Sequence, residues 1–449
     1  MTKIEIPHNF SPRSYQRPLW KFLERGGRRA VVVWHRRAGK DWTCLHWLVR
    51  AMLSRVGVYW HLFPTYNQGK KVAWDGITSE GREFLDAFPK ELVVQQNNTE
   101  QKIRLINGSI YQIVGADKLG SLRGPNPVGI IVSEYAEMNP RINTIIEPIQ
   151  GENNAWIVYI FTPKGKNHAH DLYINSLNEP EEFTELLKVS DTKRDNGKPV
   201  ITEEYINGIR RRGTMSEEQI QQEYYCSFES PVIGAYYGKQ MMALEEAKQI
   251  CDVPWQPDFP VHTAWDIGVG DPTSIWFWQD IGKMRHMIEY YESEGEGVSH
   301  YAKVIHERPY AYGIHWGPFD LNKREWGGDG RTQKEIARGH DIRFRIVNKH
   351  SLEDGIDRVR NVLPSCVFDR NKCKLGIEAL RQYRRASDEK KSLTAKQPFY
   401  LDYPYHDWSS NGADAFRYFS MAIRRNMDSK PKLPRFSEGA NYNIFAVGR

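Results

Sequence analysis

The stretch Arg29-Ala-Val-Val-Val-Trp-His-Arg-Arg-Ala-Gly-Lys-Asp41 begins as a continuous apolar run and ends with a glycine, a lysine and an aspartate. Such an apolar run indicates a strand that is buried on both faces of a parallel sheet. Residues 41–53 then carry apolar side chains three and four positions apart, which predicts a helix. A buried strand, a turn containing Gly39 and Lys40, and a helix together form the local structure that binds phosphate through backbone N–H groups.

Two positions depart from the usual phosphate-loop pattern. Trp34 stands where the pattern has its first glycine, and Asp41 stands where it has a serine or threonine that binds Mg²⁺. Lys40 would contact the β- and γ-phosphates, and an aspartate can bind Mg²⁺ directly or through water. The sequence leaves open whether Asp41, Thr43 or neither residue binds this ion. Taken alone, the loop is more simply interpreted as a basic turn between a strand and a helix.

A second apolar strand ends in a carboxylate, in the stretch Gly129-Ile-Ile-Val-Ser-Glu134. ATPases with a phosphate loop place the acids that handle Mg²⁺ and water at such a strand end. Ser133 occupies the position where aspartate is usual, which leaves Glu134 as the candidate base. The simpler alternative is an exposed glutamate at a strand end, but its combination with Gly39 and Lys40 favours an ATPase site.

Length and composition limit the possible classes of protein. The chain has 449 residues, of which 40% are hydrophobic and 12% aromatic, and 62 Lys and Arg against 56 Asp and Glu give a net charge of +6. This length suggests about two or three domains, and this composition excludes disorder of the whole chain. No apolar run is long enough to span a bilayer, and the five scattered cysteines form no CxxC motif. We therefore expect a soluble protein of a reducing compartment.

Changes in composition along the chain predict its division into domains. Short apolar strands alternate with helical segments in the first part, which is typical of a parallel α/β sheet. A Pro-rich stretch near residues 253–260 then precedes three strands that read as an antiparallel meander. We predict an α/β domain over residues 1–210, a helical linker over 211–255, a second α/β domain over 256–425 and a flexible basic tail over 426–449.

Three aspartates of the second half are candidate metal ligands. Asp266 lies within a strand just before a glycine-rich turn, and Asp320 ends a strand-like run. Asp414 lies about one turn inside a predicted helix, for which Ser409 or Ser410 is the expected N-cap. Aspartate is depleted in strands, so Asp266 in particular calls for a functional explanation. Three such carboxylates suit a nuclease that uses two divalent ions, with Mg²⁺ or Mn²⁺ favoured over zinc.

Other residues close to these aspartates in sequence are weaker candidates for a functional role. Gly268 and Gly270 do not form a dinucleotide-binding motif, because a strand follows them where that motif requires a helix. Asp271 precedes a proline and is best explained as a turn residue. Asp407 and His406 are second-choice metal ligands.

Five motifs resemble those of the large subunit of the terminase of tailed double-stranded DNA phages. They are Arg13-Ser-Tyr-Gln-Arg17, Arg36-Arg-Ala-Gly-Lys-Asp41, Ser121-Leu-Arg-Gly124, Ser133-Glu134 and Phe161-Thr-Pro-Lys-Gly165. The second half also resembles the nuclease domain of that family, in its first strands and in the stretch from Asn411 to Tyr418. Together the resemblances cover roughly residues 10–425.

The resemblance implies a RecA-like ATPase domain of the ASCE class followed by a ribonuclease-H-like nuclease domain. It implies that Tyr15 and Gln16 recognise adenine, that Arg36 or Arg37 stabilises charge during catalysis, and that Thr162 links hydrolysis to movement. Residues 38–42, namely Ala38, Gly39, Lys40, Asp41 and Trp42, would complete the nucleotide-binding loop.

The same resemblance implies the function of an ATP-driven motor. Such a protein translocates double-stranded DNA into a procapsid and cuts the DNA concatemer, with ATP and Mg²⁺ as cofactors and Mn²⁺ able to substitute in the nuclease site. Its implied partners are double-stranded DNA, the portal protein, the terminase small subunit and further copies of itself in a ring on the portal, with no membrane. The implied location is the procapsid vertex in the host cytoplasm, and Arg123 would act with ATP or DNA.

Two other functions remain possible at this stage. A helicase-nuclease of DNA repair or restriction would need a second RecA-like domain, for which residues 180–425 show no pattern. A binding scaffold whose two sites have lost activity would account for the substitutions in the phosphate loop.

Overall fold

The structure is a computed structural model, which describes residues 10–229, 232, 234–268, 271–323, 331–387 and 399–428. The side chains of Ser121 and of residues 424–428 lie outside this description. Internal packing divides the chain into two compact units, of which the first contains residues 1–252 and 370–413 and the second contains residues 253–369 and 414–449. Within the described ranges, no helix combines the length and the apolar character that crossing a membrane requires.

The described part of the first unit contains a large sheet, a two-stranded ribbon and one short strand. The strands are β1 Arg29–Trp34, β2 Val58–Phe63, β3 Val93–Asn97, β4 Lys102–Leu105, β5 Ile110–Gly115, β6 Pro127–Ser133, β7 Trp156–Phe161, β8 Phe183–Leu187, β9 Ile250–Cys251, β16 Arg385–Ser387 and β17 Tyr400–Pro404. Strand β9 lies at the end of the unit's first segment, and β16 and β17 pair with each other.

The helices of the first unit connect these strands. They are α1 Arg17–Glu24, α2 Lys40–Ser54, α3 Tyr66–Gly69, α4 Asn143–Asn153, α5 His168–Ser176, α6 Glu203–Arg212, α7 Glu217–Tyr225, α8 Gly238–Glu246 and α12 Lys374–Gln382. Several short 3₁₀ turns and one π-helical turn, Lys70–Trp74, complete the connections.

The main sheet of the first unit has the strand order β3-β4-β5-β2-β6-β7-β1-β8. In this order, the six strands β5, β2, β6, β7, β1 and β8 pair in parallel with one another, whereas β3 and β4 form an antiparallel edge. Strand β7 separates β1, which leads into the phosphate loop, from β6, which ends at Ser133. Because parallel strands end at the same edge of a sheet, this order gathers the ends of β1, β6 and β7 at one place.

Both faces of this sheet are buried, as its apolar strands predict. Val32 belongs to a core that includes Leu45 and Leu48 of α2, whereas Val31 and Val33 belong to a second core on the opposite face. Alternating side chains of β1 therefore anchor the strand on both sides. The loop that follows β1 starts from a fixed position.

The second unit is built around another mixed sheet. Its strands are β10 Val261–Asp266, β11 Thr273–Ile281, β12 Met284–Ser293, β13 Tyr312–Gly317, β14 Phe344–Ile346 and β15 Cys366–Asp369. Its helices are α9 Val298–His306, α10 Gln333–Arg338 and α11 Leu352–Val362, together with most of α13, Ser409–Asp428.

The strands of the second unit lie in the order β14-β13-β10-β11-β12-β15. Strands β10, β11 and β12 form the predicted antiparallel meander, while β13 pairs in parallel with β10 and β14 with β13. A three-stranded meander extended by parallel strands beside its first strand is the ribonuclease-H-like arrangement. The predicted α/β fold class, with a phosphate-loop type sheet and a ribonuclease-H-like sheet, is confirmed.

The structure divides the chain differently from the predicted domain boundaries. Residues 370–413 pack with the first unit although they follow most of the second unit in sequence, and the division falls within α13. Helices α7 and α8, which lie in the predicted linker, also pack with the first unit. Helix α13 continues to Asp428, past the predicted start of the tail, and residues 429–449 lie outside the described residues.

Candidate active sites

The phosphate loop of the first unit connects β1 to α2. Gly39 precedes the helix with a φ of 81°, and Arg37 has a φ of 71°. Glycine adopts such a left-handed conformation freely, whereas for an arginine it costs about 1–3 kcal/mol. Strain of this kind occurs where a loop is held in a conformation that its ligand requires.

Lys40 is the first residue of α2 and is almost fully buried. Its Nζ donates hydrogen bonds to the carbonyl of Trp34, at 2.9 Å, and to Oγ1 of Thr162, at 3.0 Å. Thr162 follows directly after β7, so this contact joins the phosphate loop to the end of the neighbouring strand. Polyphosphate oxygens are the natural competitors for these donated hydrogen bonds.

Tyr15 and Gln16 brace the phosphate loop from the N-terminal side. The hydroxyl of Tyr15 and Nε2 of Gln16 both donate to the carbonyl of Ala38, at 2.9 and 3.1 Å. Both side chains are buried, and Gln16 also lines the larger of two cavities beside the loop. Tyr15 therefore contacts the loop itself, and adenine recognition by these residues stays a prediction.

Glu134 follows β6 directly and has a left-handed φ of 56°. Burial raises the pKa of Glu134 to about 7, an effect that the charge of Lys40 opposes and the charges of Glu137 and Asp41 reinforce. A carboxyl group with a pKa near neutrality exchanges a proton under physiological conditions, which suits a general base.

Asp41 and Ser133 meet across the site. The hydroxyl of Ser133 donates to Oδ1 of Asp41, and Nε2 of His61 lies 3.5 Å from the same oxygen. Burial alone would raise the pKa of Asp41, but His61, Ser133 and Lys40 hold it below its ordinary value. Asp41 is therefore a stable anion in the cavity.

Two cavities adjoin this site, with volumes of about 660 and 1020 Å³. The smaller one is lined by Lys40, Asp41, Ser133, Glu134 and Thr162. Both cavities share the phosphate loop as a wall, and Arg36, Arg37, Gly39 and Trp42 line both of them. Their combined size suits a ligand as large as a nucleoside triphosphate.

A further cationic group, Lys164 of the motif Phe161-Thr-Pro-Lys-Gly165, lines the smaller cavity. Lys164 contacts Glu137 at 3.4 Å and Glu223 at 3.2 Å, and these charges raise its pKa although burial opposes them. Glu223 of α7 also lies 3.5 Å from the guanidinium of Arg36. Glu223 has no distinguishing sequence context, because glutamate is common in helices such as α7.

In the second unit, the predicted carboxylates lie near one edge of the sheet. Asp266 is the last residue of β10. Asp320 lies on a 3₁₀ turn, Phe319–Asn322, after β13, and so not at the strand end itself as predicted. Strands β10 and β13 are parallel neighbours, so their ends share one edge. Asp414 lies in the second turn of α13.

The charges of these carboxylates act on one another. Burial and the negative charge of Asp414 raise the pKa of Asp266 well above its ordinary range, with smaller contributions from Asp271 and Asp320. Arg417, which lies 3.3 Å from Asp414, opposes this effect. Like charges that repel one another in this way are the donor chemistry that fits a divalent cation.

The described residues contain no group of three or more His, Cys, Asp or Glu side chains arranged to hold a metal ion. Asp320 instead contacts Lys323 at 2.6 Å and Asp414 contacts Arg417. The chemistry of the three carboxylates fits a cation, whereas their present spacing does not complete a cage. Metal binding by Asp266, Asp320 and Asp414 thus stays a prediction.

Comparisons with solved structures identify phage large terminases as similar to this chain. The large terminase from a thermophilic bacteriophage, in complex with ADP, has 13% identity and a TM-score of 0.40, and the match covers 92% of this chain and 100% of that one. The ATPase domain of the Thermus phage P74-26 large terminase has 20% identity and a TM-score of 0.38, covering 49% of this chain and 100% of that one.

The nuclease domain of the P22 large terminase has 18% identity and a TM-score of 0.30, covering 40% of this chain and 94% of that one. No protein-family model and no curated protein matches the sequence. At these identities and TM-scores, the strand orders described above carry the fold assignment. The similar structures are large terminases and include both their ATPase and their nuclease domains.

The remaining candidates lie outside these two sites. Asp407 accepts a hydrogen bond from the backbone N–H of Ser409, at 2.9 Å, and contacts Arg384 at 2.7 Å. It therefore caps α13, which corrects the expectation that Ser409 or Ser410 would do so. His406 and Arg123 are exposed on the surface.

Proposed function

We propose that this chain is an ATP-driven motor that moves double-stranded DNA into a viral procapsid and cuts the DNA concatemer with a metal-dependent nuclease. The observation that carries this proposal is the presence of two different sites in one chain. A phosphate loop with a buried lysine and a base-like glutamate lies in the first unit, and interacting aspartates lie on a ribonuclease-H-like sheet in the second. An ATPase or a nuclease alone would need only one of them.

ATP hydrolysis is assigned to the first unit. Lys40 binds the phosphates in place of its present partners Trp34 and Thr162. Glu134 accepts a proton from, or orients, the attacking water, because its raised pKa makes it a better base than an ordinary carboxylate. Arg36 or Arg37, both exposed at the cavity, stabilises the negative charge that develops. Bound Mg²⁺ supplies further neutralisation of phosphate charge.

Movement is assigned to the contact between Lys40 and Thr162. Phosphate binding draws the Lys40 ammonium away from Thr162 Oγ1, which then needs another partner because it is buried. The end of β7 thereby responds to the presence of phosphate. This response is the physical basis that we assign to the coupling of hydrolysis with DNA movement.

DNA cleavage is assigned to Asp266, Asp320 and Asp414. These side chains would hold divalent cations, Mg²⁺ or Mn²⁺, which would supply activation of water and stabilisation of the leaving oxygen. Arg417 and Lys323 contact Asp414 and Asp320 in this structure, and bound cations would compete with both contacts. Burial and the charge of Asp414 raise the pKa of Asp266, and a bound cation would oppose this effect.

The partners follow from the same proposal. Double-stranded DNA is the substrate of translocation and of cleavage. The assembly partners are the portal protein, the terminase small subunit and further copies in a ring on the portal. The host cytoplasm, at the procapsid vertex, is the place where these partners meet. Helix α13 leads into residues 429–449, which are assigned to docking on the portal.

The test uses the purified full chain. ATP turnover is measured with and without double-stranded DNA, and nicking of supercoiled plasmid is measured with Mg²⁺ or Mn²⁺ and with EDTA. Stimulated turnover together with cation-dependent cleavage is expected. Cleavage without any ATP turnover would reduce the proposal to a nuclease, and unwinding of forked DNA would favour a helicase-nuclease.

A further inference from the structure

The hydroxyl and the carboxylate of the usual phosphate-loop ATPase pattern stand at exchanged positions in this sequence. In phosphate-loop ATPases, a hydroxyl that follows the lysine and a carboxylate near the end of the acidic strand hold the Mg²⁺ of the nucleotide. Here Asp41 follows Lys40, and Ser133 ends β6. We propose that Asp41 and Ser133 are a reciprocal exchange, in which the helix supplies the carboxylate and the strand supplies the hydroxyl. This inference rests on the proposed ATPase function.

The two substituted residues contact each other directly. Ser133 Oγ donates to Asp41 Oδ1 although the residues are 92 positions apart in sequence. Two unrelated losses of function would give no reason for this contact. A carboxylate and a hydroxyl that have changed places keep the same pair of groups at the same point of the site.

The pair also lies where a nucleotide-bound cation would need it. Both residues line the cavity of about 660 Å³ together with Lys40 and Glu134. The Asp41 side chain retains 18% exposure, while Ser133 is buried beside it. Carboxylate and hydroxyl oxygens are the hard ligands that Mg²⁺ prefers. The donor set therefore fits the ion.

Thr43, whose hydroxyl follows Asp41 by two positions, is used elsewhere. Its Oγ1 donates to the carbonyl of Gly39 at 2.9 Å, within the first turn of α2, and its side chain is buried. It does not belong to the lining of either cavity that adjoins the phosphate loop. Ser133 is thus the hydroxyl that accompanies Asp41.

The test compares the full chain with four variants, D41N, S133D, D41S and the double variant D41S/S133D. T43A is the matched control. The affinity for ATP is measured with Mg²⁺ and with EDTA, and Mn²⁺ binding in the presence of ATP is followed by electron paramagnetic resonance. D41N is informative because its amide oxygen still accepts from Ser133 while its negative charge is lost.

In D41N and D41S, we expect the factor by which Mg²⁺ increases the affinity for ATP to fall at least about tenfold. Both variants should bind Mn²⁺ correspondingly more weakly. The double variant restores the usual arrangement and should recover most of both quantities, so the two changes should be strongly non-additive. T43A should keep the Mg²⁺-dependent gain. Thermal unfolding of each variant identifies any loss that comes from misfolding.

Two results would overturn the exchange. If D41N folds and keeps the full Mg²⁺-dependent gain, the contact between Asp41 and Ser133 serves only to hold α2 against β6. If D41S/S133D folds and is no better than D41S, the two positions are not interchangeable. Failure of the unmodified chain to bind ATP would instead remove the proposed ATPase function itself, and the exchange with it.

Discussion

The two candidate sites both contain carboxylates with a raised pKa, but they differ in how their charge is balanced. In the first unit, Lys40 and Lys164 lie near Glu134 and offset the charges of its acidic neighbours. In the second unit, burial and three acidic neighbours raise the pKa of Asp266, and Arg417 acts against them. The first site has two lysines beside its glutamates, whereas in the second site Arg417 and Lys323 contact Asp414 and Asp320.

The two charge distributions favour different ligands. A cavity with buried lysines attracts an anionic ligand such as a polyphosphate. A group of carboxylates attracts metal ions and stays electrostatically strained without them. If the two sites are separable, ATP hydrolysis and DNA cleavage should accordingly respond to different substitutions.

The largest expected effect is the loss of DNA cleavage in D266A. Removal of this carboxylate takes away the ligand at the centre of the acidic group, so nicking of supercoiled plasmid should fall at least about 10³-fold. ATP turnover should stay near that of the unmodified chain. D258N, at an exposed position of the same unit, is the control. Loss of ATP turnover in a folded D266A protein would contradict separable sites.

The converse substitution is E134Q in the first unit. Glutamine keeps the size of the side chain but cannot accept the proton, so ATP turnover should fall about 10²–10⁴-fold. ATP binding, measured by equilibrium fluorescence of a labelled nucleotide, should change little, and plasmid cleavage should persist. E152Q, at an exposed position of α4, serves for comparison. Turnover that survives in E134Q would assign the base to another residue.

How far these sites could be predicted from sequence depends on how local their signals are. Strand β1 and the loop after it are contiguous, so the apolar run sufficed to predict the strand. Gly39 and Lys40 alone indicated a basic turn, and only their combination with Glu134 favoured an ATPase site. Asp266 and Asp414 are far apart in sequence, and only the order of motifs suggested that they belong together. Strand pairing and the packing of α13 bring Asp266 and Asp414 near each other. No local sequence pattern specifies how strands pair or where a helix packs.

Contacts made by ordinary residue types could not be predicted at all. Glu223 lies in a helix with two other glutamates, and only the fold shows that it contacts Lys164 and Arg36. The packing of residues 370–413 with the first unit could not be predicted either, because the order of segments in the sequence does not show which core a later segment joins. Asp407 caps α13 because the chain bends two residues before the expected start.

The pH dependence of ATP hydrolysis tests the charge balance of the first site. The pKa of Glu134 is raised to about 7, and the base must be deprotonated to act. kcat/KM should therefore rise about tenfold between pH 6 and pH 8 and then level off, because this quantity reports the free enzyme. An ordinary glutamate would give no change in that range. A flat profile above pH 5.5 would show that Glu134 is not the titrating base.

The smallest expected effect concerns Glu223, which neutralises part of the first site. Its carboxylate contacts Lys164 and Arg36, and burial raises its pKa less than these cations lower it, so it is charged at neutral pH. In E223Q, the side chain no longer competes with the phosphates for Lys164 and Arg36. ATP should therefore bind about three- to tenfold more tightly.

E218Q on the same helix is the matched control, because Glu218 is exposed and lies outside the cavity lining. Isothermal titration with ATP and Mg²⁺ gives both affinities. If E223Q binds ATP more weakly than E218Q, Glu223 acts mainly by holding Lys164 and Arg36 in place. The first site would then depend on a fixed arrangement of its charges, and not only on the balance between them.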